Sequence, residues 1–240
     1  MLLLQNLSKK FGTFTAVDHI DLRIEPGELF GFLGPNGAGK TTTIKMMVGL
    51  YLPSSGSISL NGFDNQAQSL AFKRRVGYIP DQPFLYDKLT GREFLLFSGG
   101  LYNLRKKAVR ARIAELVELL KIGDWLDQRT EAYSQGMRQR ITIASAFLHD
   151  PQLIVIDEPM VGLDPQTAHI VKKFLRRKSH SGTTIFMSTH SLNVAEEICS
   201  RVGIIHKGKM IFNDNIEALQ KLKTAHNHNF EELFIELTRD

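Results

Sequence analysis

Eight residues constrain this chain more than any other stretch: Gly34-Pro35-Asn36-Gly37-Ala38-Gly39-Lys40-Thr41. They fit the pattern G-x-x-x-x-G-K-[ST] at every fixed position. The flanks fit as well. An apolar run, Leu29-Phe30-Gly31-Phe32-Leu33, reads as a buried strand leading in, and Thr41 to Leu50 reads as a helix leading out. A strand, a glycine-rich turn and a helix in that order is the setting in which this motif binds phosphate. Glycine reaches backbone angles closed to other residues, so main-chain N–H groups can close on an anion. The helix N-terminus adds unpaired N–H groups and the positive end of its dipole. In such a loop Lys40 reaches the β- and γ-phosphates and the Thr41 hydroxyl ligands Mg²⁺. The expected phosphate-binding set is Gly34, Pro35, Asn36, Gly37, Ala38, Gly39, Lys40, Thr41 and the adjoining Thr42.

What the chain does with a bound triphosphate depends on the rest of it. At 240 residues it is near the upper limit for one hydrophobic core. The net charge of +5 allows a negatively charged neighbour without demanding one. Two basic clusters, Arg105-Lys106-Lys107 and Lys172-Lys173 with Arg176-Arg177-Lys178, lie in helical stretches and read as solvated faces. No aromatic residues interleave them as a stacking platform needs, so no nucleic-acid partner is expected. The single cysteine, Cys199, falls in an expected helix from Leu192 to Arg201 and reads as a small apolar packing residue. That usage suits a reducing compartment. The N-terminus lacks the basic region of a signal peptide. No run approaches the roughly 18 apolar residues of a membrane span, so action at a membrane needs another chain to supply the crossing.

In chain order, Leu2-Leu3-Leu4, Phe14 to Val17 and Ile20 to Ile24 are short strand candidates. After the phosphate-loop helix, Ser57 to Leu60 reads as a strand, Asn61-Gly62 as a hairpin turn, and Val76 to Pro80 as a further strand with Gln82 just beyond. From Thr90 to His149 the pattern is mainly helical, with Ile113, Leu116, Val117 and Leu120 on one face. Leu153-Ile154-Val155-Ile156 is apolar at every position, as in the middle of a parallel sheet, and ends in Asp157-Glu158-Pro159. Those carboxylates then fall at the carboxyl edge of the sheet, where ligands bind in α/β folds. A helix from Pro165 to Arg177 follows, then a strand from Thr183 to Ser188 with Thr189-His190 after it, and a hairpin of Val202 to Ile205 and Lys209 to Phe212. Residues 1–225 read as one nucleotide-binding domain with a helical lobe at about 87–150, and 226–240 as a tail. His226 and His228 have no further ligand near in sequence and read as polar linker.

Taken in order, these motifs resemble the ATP-binding subunit of the ATP-binding cassette (ABC) family. The resemblance rests on the loop at 34–41, Gln82, Tyr133 to Met137, Leu153 to Glu158, Gly162-Leu163-Asp164-Pro165 and His190. It implies an α/β fold: a P-loop NTPase (RecA-like) core with an N-terminal antiparallel β subdomain and a helical subdomain. It implies ATP and Mg²⁺ as cofactors. Asp157 then joins Thr41 in the Mg²⁺ shell, directly or through water. Glu158 is the candidate general base or water-orienting residue. His190 resembles the family's switch histidine, which contacts the γ-phosphate, and Lys40 completes the catalytic group. Gln82 resembles the glutamine that ligands water or Mg²⁺ and links the nucleotide to the helical lobe. Phe11 matches the adenine-stacking aromatic.

Tyr133-Ser134-Gln135-Gly136-Met137 corresponds to the family signature Leu-Ser-Gly-Gly-Gln, with Ser134 and Gly136 matching. In the family this segment closes over the ATP of a second subunit. Ser134, Gln135, Gly136 and Met137 are therefore expected to act in trans, and Asp164 to lie in the loop that crosses the interface. One copy of each part implies a dimer of such domains. The resemblance further implies integral membrane permease subunits as partners and a cytoplasmic, peripheral place on the inner face of the cell membrane. The Tyr-Ser-x-Gly-Met-Arg-Gln-Arg form and Tyr78-Ile79-Pro80-Asp81 look like the export-type branch of drug, antibiotic and bacteriocin exporters. Two other readings stand beside transport: a soluble ABC ATPase acting on an assembly scaffold or other macromolecule, and a nucleotide-gated binding module with little hydrolysis.

Overall fold

The N-terminal strand candidates merge into two long strands in the computed structural model, which describes residues 1–226. β1 (Leu2–Phe11) and β2 (Phe14–Ile24) pair antiparallel, with Phe11 opposite Phe14 across the Gly12-Thr13 turn. β4 (Ser55–Leu60) adds to the far side of β1, and β5 (Phe63–Asp64) returns from it. The turn between them has positive φ at both Asn61 and Gly62, as a two-residue hairpin of matching twist requires. The result is a four-stranded antiparallel sheet in the order β2-β1-β4-β5.

The second sheet has six strands in the order β10-β9-β3-β8-β7-β6. β3 (Leu29–Leu33), β6 (Val76–Ile79), β7 (Leu153–Asp157), β8 (Thr184–Thr189) and β9 (Arg201–His206) run parallel, and β10 (Lys209–Asn215) turns back antiparallel on β9. The apolar run of β7 is explained by two cores. Leu153 and Val155 enter the core shared with the antiparallel sheet, beside Phe30, Phe32 and Phe186. Ile154 and Ile156 enter the core shared with the helices, beside Phe147 and Phe174. A strand buried on both faces has no polar positions to alternate.

Helices complete the fold: α1 (Lys40–Met47), α2 (Ser69–Lys73), α3 (Gly91–Leu101), α4 (Lys106–Leu120), α5 (Gln135–Phe147), α6 (Pro165–His180), α7 (Leu192–Ile198) and α8 (Ile216–His226). α3 begins with a capping box, in which Thr90 and Glu93 satisfy each other's backbone N–H groups. α4 buries Val109, Ile113, Leu116 and Leu120. Among the described residues no helix is long and apolar enough to cross a membrane.

Two expectations need correction. The helix carrying Cys199 stops at Ile198, and Cys199 itself is extended and buried against Gly31. Burial pushes its thiol pKa far up, in keeping with a packing role. The second basic cluster is not all solvated. Lys178 is buried in α6, and its ammonium meets Glu115 of α4 at 2.6 Å. Glu115 also binds Arg112, and its contact with Lys178 ties α4 to α6. His228, like the rest of 227–240, lies outside the described residues.

Candidate functional site

The parallel strands bring the site together at their carboxyl edge. In register, Leu33 of β3 lies opposite Thr189 of β8, and Asp157 of β7 lies opposite Ser188. The loop from Gly34 therefore leaves the sheet two strands from Asp157, with β8 between. The loop is fixed from behind. Gly208, in the β9–β10 turn, donates its N–H to the Ala38 carbonyl at 2.9 Å, and Asp18 donates to Gly208 at 2.8 Å. Gly39 has φ 112°, and a Cβ there would stand 2.5 Å from the Ala16 carbonyl oxygen, so only glycine fits. α1 starts directly after it, without a side-chain cap or an acidic residue in its first turn. Its leading N–H groups are left for an external anion.

Lys40 is buried, and its ammonium donates to the carbonyls of Gly34 at 2.6 Å and Pro35 at 3.2 Å. Burial lowers its pKa, opposed by the nearby charges of Glu158 and Asp157. The Thr41 hydroxyl donates to Asp157 Oδ2 at 3.1 Å. Asp157 is only 2% exposed. Burial raises its pKa, while hydrogen bonds from Ser188 and Thr41 pull it back. This hydroxyl and carboxylate are hard oxygen donors. They suit Mg²⁺, which takes few protein ligands and completes its shell with water and phosphate oxygens. Among the described residues no group of three or more His, Cys, Asp or Glu side chains is placed to hold a metal ion.

Glu158 follows with φ +49°, a left-handed conformation uncommon away from glycine. The backbone is held there by Ser188, whose carbonyl and hydroxyl accept the Glu158 N–H at 3.3 and 3.2 Å. The turn aims the side chain at His190, with Oε1 3.0 Å from Nδ1. His190 itself is exposed, one residue past β8.

Ser188 was not singled out from the sequence, yet it touches both carboxylate-bearing residues. The available signal was a small hydroxyl after the apolar run Ile185-Phe186-Met187 of a buried strand. Phe14 was also missed. A pocket of about 270 Å³ over the loop is lined by Phe14, Ala16, Pro35, Asn36 and Gly37 together with Gly39 to Thr42. Phe11 instead meets Tyr51 edge to face at 5.7 Å, with the Lys9 ammonium 5.0 Å from its ring centre. Directly paired residues of an antiparallel ladder share one face, so both rings stand on the same side of the hairpin. Gln82 emerges at the same sheet edge as Asp157, since Ile79 pairs with Ile156. Its N–H binds Asp81 at 2.9 Å, and no hydrogen bond joins its side chain to Asp157, Glu158 or the loop.

Ser134 to Met137 take no part in the pocket over the loop. Ser134 caps α5, accepting the Met137 N–H at 3.3 Å. Tyr133 stands where the family pattern has leucine, and its hydroxyl donates to the Trp125 carbonyl at 3.0 Å. Gly91 makes room for that hydroxyl. The Gln135 side chain turns to its own chain and donates to the Val161 carbonyl at 3.2 Å. Asp164 caps α6, accepting the Thr167 N–H at 2.9 Å, and the Thr167 hydroxyl together with this N–H holds its carboxyl below the usual range.

Known proteins share this fold and much of this sequence. The ABC transporter family matches residues 17–161. The chain is 35% identical to the ABC transporter ATP-binding protein NatA of Bacillus subtilis, over 96% of each chain. It is 37% identical to the linearmycin resistance ATP-binding protein LnrL of the same organism, over 88% of this chain and 68% of that one. A solved ATP-binding subunit of an ABC transporter superposes with a TM-score of 0.91 at 31% identity, covering both chains fully. The ATP-binding cassette MJ0796, a dimer bound to ADP and Pi, shares the fold at a TM-score of 0.81 and 23% identity, over 90% of this chain and 99% of that one. A family match over residues 17–161, 35% identity to an ATP-binding relative along nearly the whole chain and a shared fold have one reading: the chain belongs to the ABC transporter family, as an ATP-binding subunit with ATPase activity.

Proposed function

We propose that two copies of this domain close head to tail around two ATP molecules and drive membrane-spanning permease subunits, working as an exporter from the cytoplasmic face. The N–H groups at the start of α1 and Lys40 hold the triphosphate. On phosphate arrival the Lys40 ammonium exchanges its bonds to Gly34 and Pro35 for phosphate oxygens. Thr41 and Asp157 would hold Mg²⁺, with Gln82 as a further or water-mediated ligand, and the ion would supply charge neutralisation. Glu158 accepts a proton from the attacking water as its oxygen bonds to the γ-phosphorus and the bond to the ADP oxygen breaks. His190 holds the Glu158 carboxylate in line and reaches the γ-phosphate. Ser134, Gly136 and Met137 of one copy cap the ATP of the other, and Asp164 lies at the seam. Loss of the γ-phosphate removes the bridge between copies and shifts the population toward the open dimer.

The observation that carries coupling to a membrane partner is an exposed aromatic ladder beside Gln82. Phe84, 75% exposed, meets Tyr86 at 5.6 Å, and Tyr86 meets Phe97 of α3 at 5.5 Å. It borders a groove of about 400 Å³ between sheet and helices, lined in part by Leu50, Tyr78, Pro80, Phe94 and Tyr102. Exposed apolar surface of this kind marks a protein interface. The groove lies between the sheet and the helical lobe at about 87–150, so a permease segment seated there would feel the lobe move. Relatives named for Nod factor export and linearmycin resistance favour the export direction. The test is purification of tagged protein from native membranes. Integral membrane subunits are expected to copurify. Recovery only in the soluble fraction, without them, would replace transport by action on a soluble assembly.

A further inference from the structure

We propose that Gln135 is a positioning residue that couples the two nucleotide sites of the dimer. The inference rests on the two-copy reading above. Its amide donates to the Val161 carbonyl at 3.2 Å. The same amide lies flat on Gly162: a Cβ there would stand 2.3 Å from Nε2 and 2.6 Å from both Cδ and Oε1. Gly162 also has φ +71°, so it combines the backbone and the space that glycine alone supplies. The next residue, Gly136, packs on the start of α6, where an added Cβ would lie 3.2 Å from Thr167 Oγ1 and 3.6 Å from Asp164 Oδ2. The segment meant for the partner's nucleotide is thus seated on the loop that runs from Glu158 to Asp164.

That loop is short and internally bonded. Val161 donates its N–H to the Glu158 carbonyl, and Leu163 donates to Met160, each at 3.3 Å. Glu158 is pinned in turn by Ser188 and meets His190. A continuous path therefore leads from Ser134 through Gln135, Val161 and Glu158 to His190. Its first residue serves the partner's ATP, and its last two serve the chain's own. When Ser134 shifts onto the partner's phosphate, Gln135 carries the shift to the backbone that aims Glu158. Such coupling between sites is reciprocal.

The test is ATP hydrolysis against ATP concentration. The unaltered dimer should show a Hill coefficient approaching about 2, the number of sites. Gln135→Ala, and Gln135→Glu, which keeps the size but loses the N–H donor, should lower it, leaving only the cooperativity that closure around two ATP itself requires. ATP affinity of the isolated chain should change by no more than about twofold, with an unaltered melting temperature. Gln135→Arg, which keeps a donor, should restore cooperativity. Gly162→Ala attacks the same contact from the other side, and combined with Gln135→Ala it should cost no more than the worse single change. A Hill coefficient indifferent to residue 135, or about 1 in the unaltered protein, overturns the coupling. The two-copy reading is checked separately: a Glu158→Gln chain that stays monomeric with ATP overturns that reading itself.

Discussion

Ser188→Ala isolates what holds the Asp157–Glu158 pair in place. Ser188 is fully buried and donates to Asp157 Oδ1 while its Oγ accepts the Glu158 N–H. The Glu158 N–H keeps a second acceptor in the Ser188 carbonyl, so the change leaves only the Asp157 oxygen without its partner. A hydrogen bond to a buried charged group contributes about 1.5–3 kcal/mol. For a domain of this size each kcal/mol moves the melting temperature by about 2–4 °C, so roughly 2 kcal/mol gives a drop of about 4–8 °C. The pH dependence has a definite sign. Burial raises the folded pKa of Asp157, so its stabilising contribution is fully present below the unfolded carboxylate pKa and is lost as pH rises through the folded value. Removing Ser188 raises the folded pKa further. The penalty of the variant should therefore grow as pH rises through that titration and shrink as pH falls. Thermal unfolding followed by circular dichroism at pH 5 and pH 8, without nucleotide, measures both. A drop under about 1 °C, or a larger penalty at the lower pH, would refute the reasoning.

Five other changes test the site directly. Lys40→Ala should weaken ATP binding by at least about 30-fold, from the loss of roughly 2 kcal/mol of charge-assisted bonding; calorimetric affinity equal to the unaltered protein would remove Lys40 from the phosphate cradle. Glu158→Gln should keep ATP binding, cut turnover by about 10²–10⁴ and trap an ATP-bound dimer on size-exclusion chromatography; normal hydrolysis would end its role as base. Ser134→Arg should spare ATP binding by the single chain yet abolish turnover, and unchanged turnover would exclude action in trans. Phe11→Ala and Phe14→Ala should each cost about 1–3 kcal/mol of ATP binding, the range for base stacking, while leaving tripolyphosphate affinity unchanged. Equal losses for both ligands would count against stacking.

Local chemistry made much of this protein legible in its sequence. The strand-turn-helix around Gly34 to Thr41, the hairpin at Asn61-Gly62 and the doubly buried β7 follow from residue types at fixed spacing. Such signals depend on backbone angles and on which faces are buried, and neighbouring residues set both. Strand lengths were less legible. β1 runs to Phe11 through Gln5, Lys9 and Lys10, polar residues that β2 and β4 pair with but a single strand does not advertise.

Only tertiary structure decided the rest, because the deciding contacts join residues far apart in the chain. Lys178 reads as one more surface cation until α4 brings Glu115 against it. Ser188 reads as the end of a strand until the register with β7 sets it against Asp157 and Glu158. Gln135 reads as a departure from a signature until the fold lays its amide on Gly162. The sequence by itself pointed to phosphate binding at Gly34 to Thr41 and to the family the chain belongs to, since a glycine-rich turn before a helix carries its own chemistry. The orientation of Asp157, Glu158 and Gln135 toward their partners was decided by packing, since a side chain's direction depends on the element that closes over it.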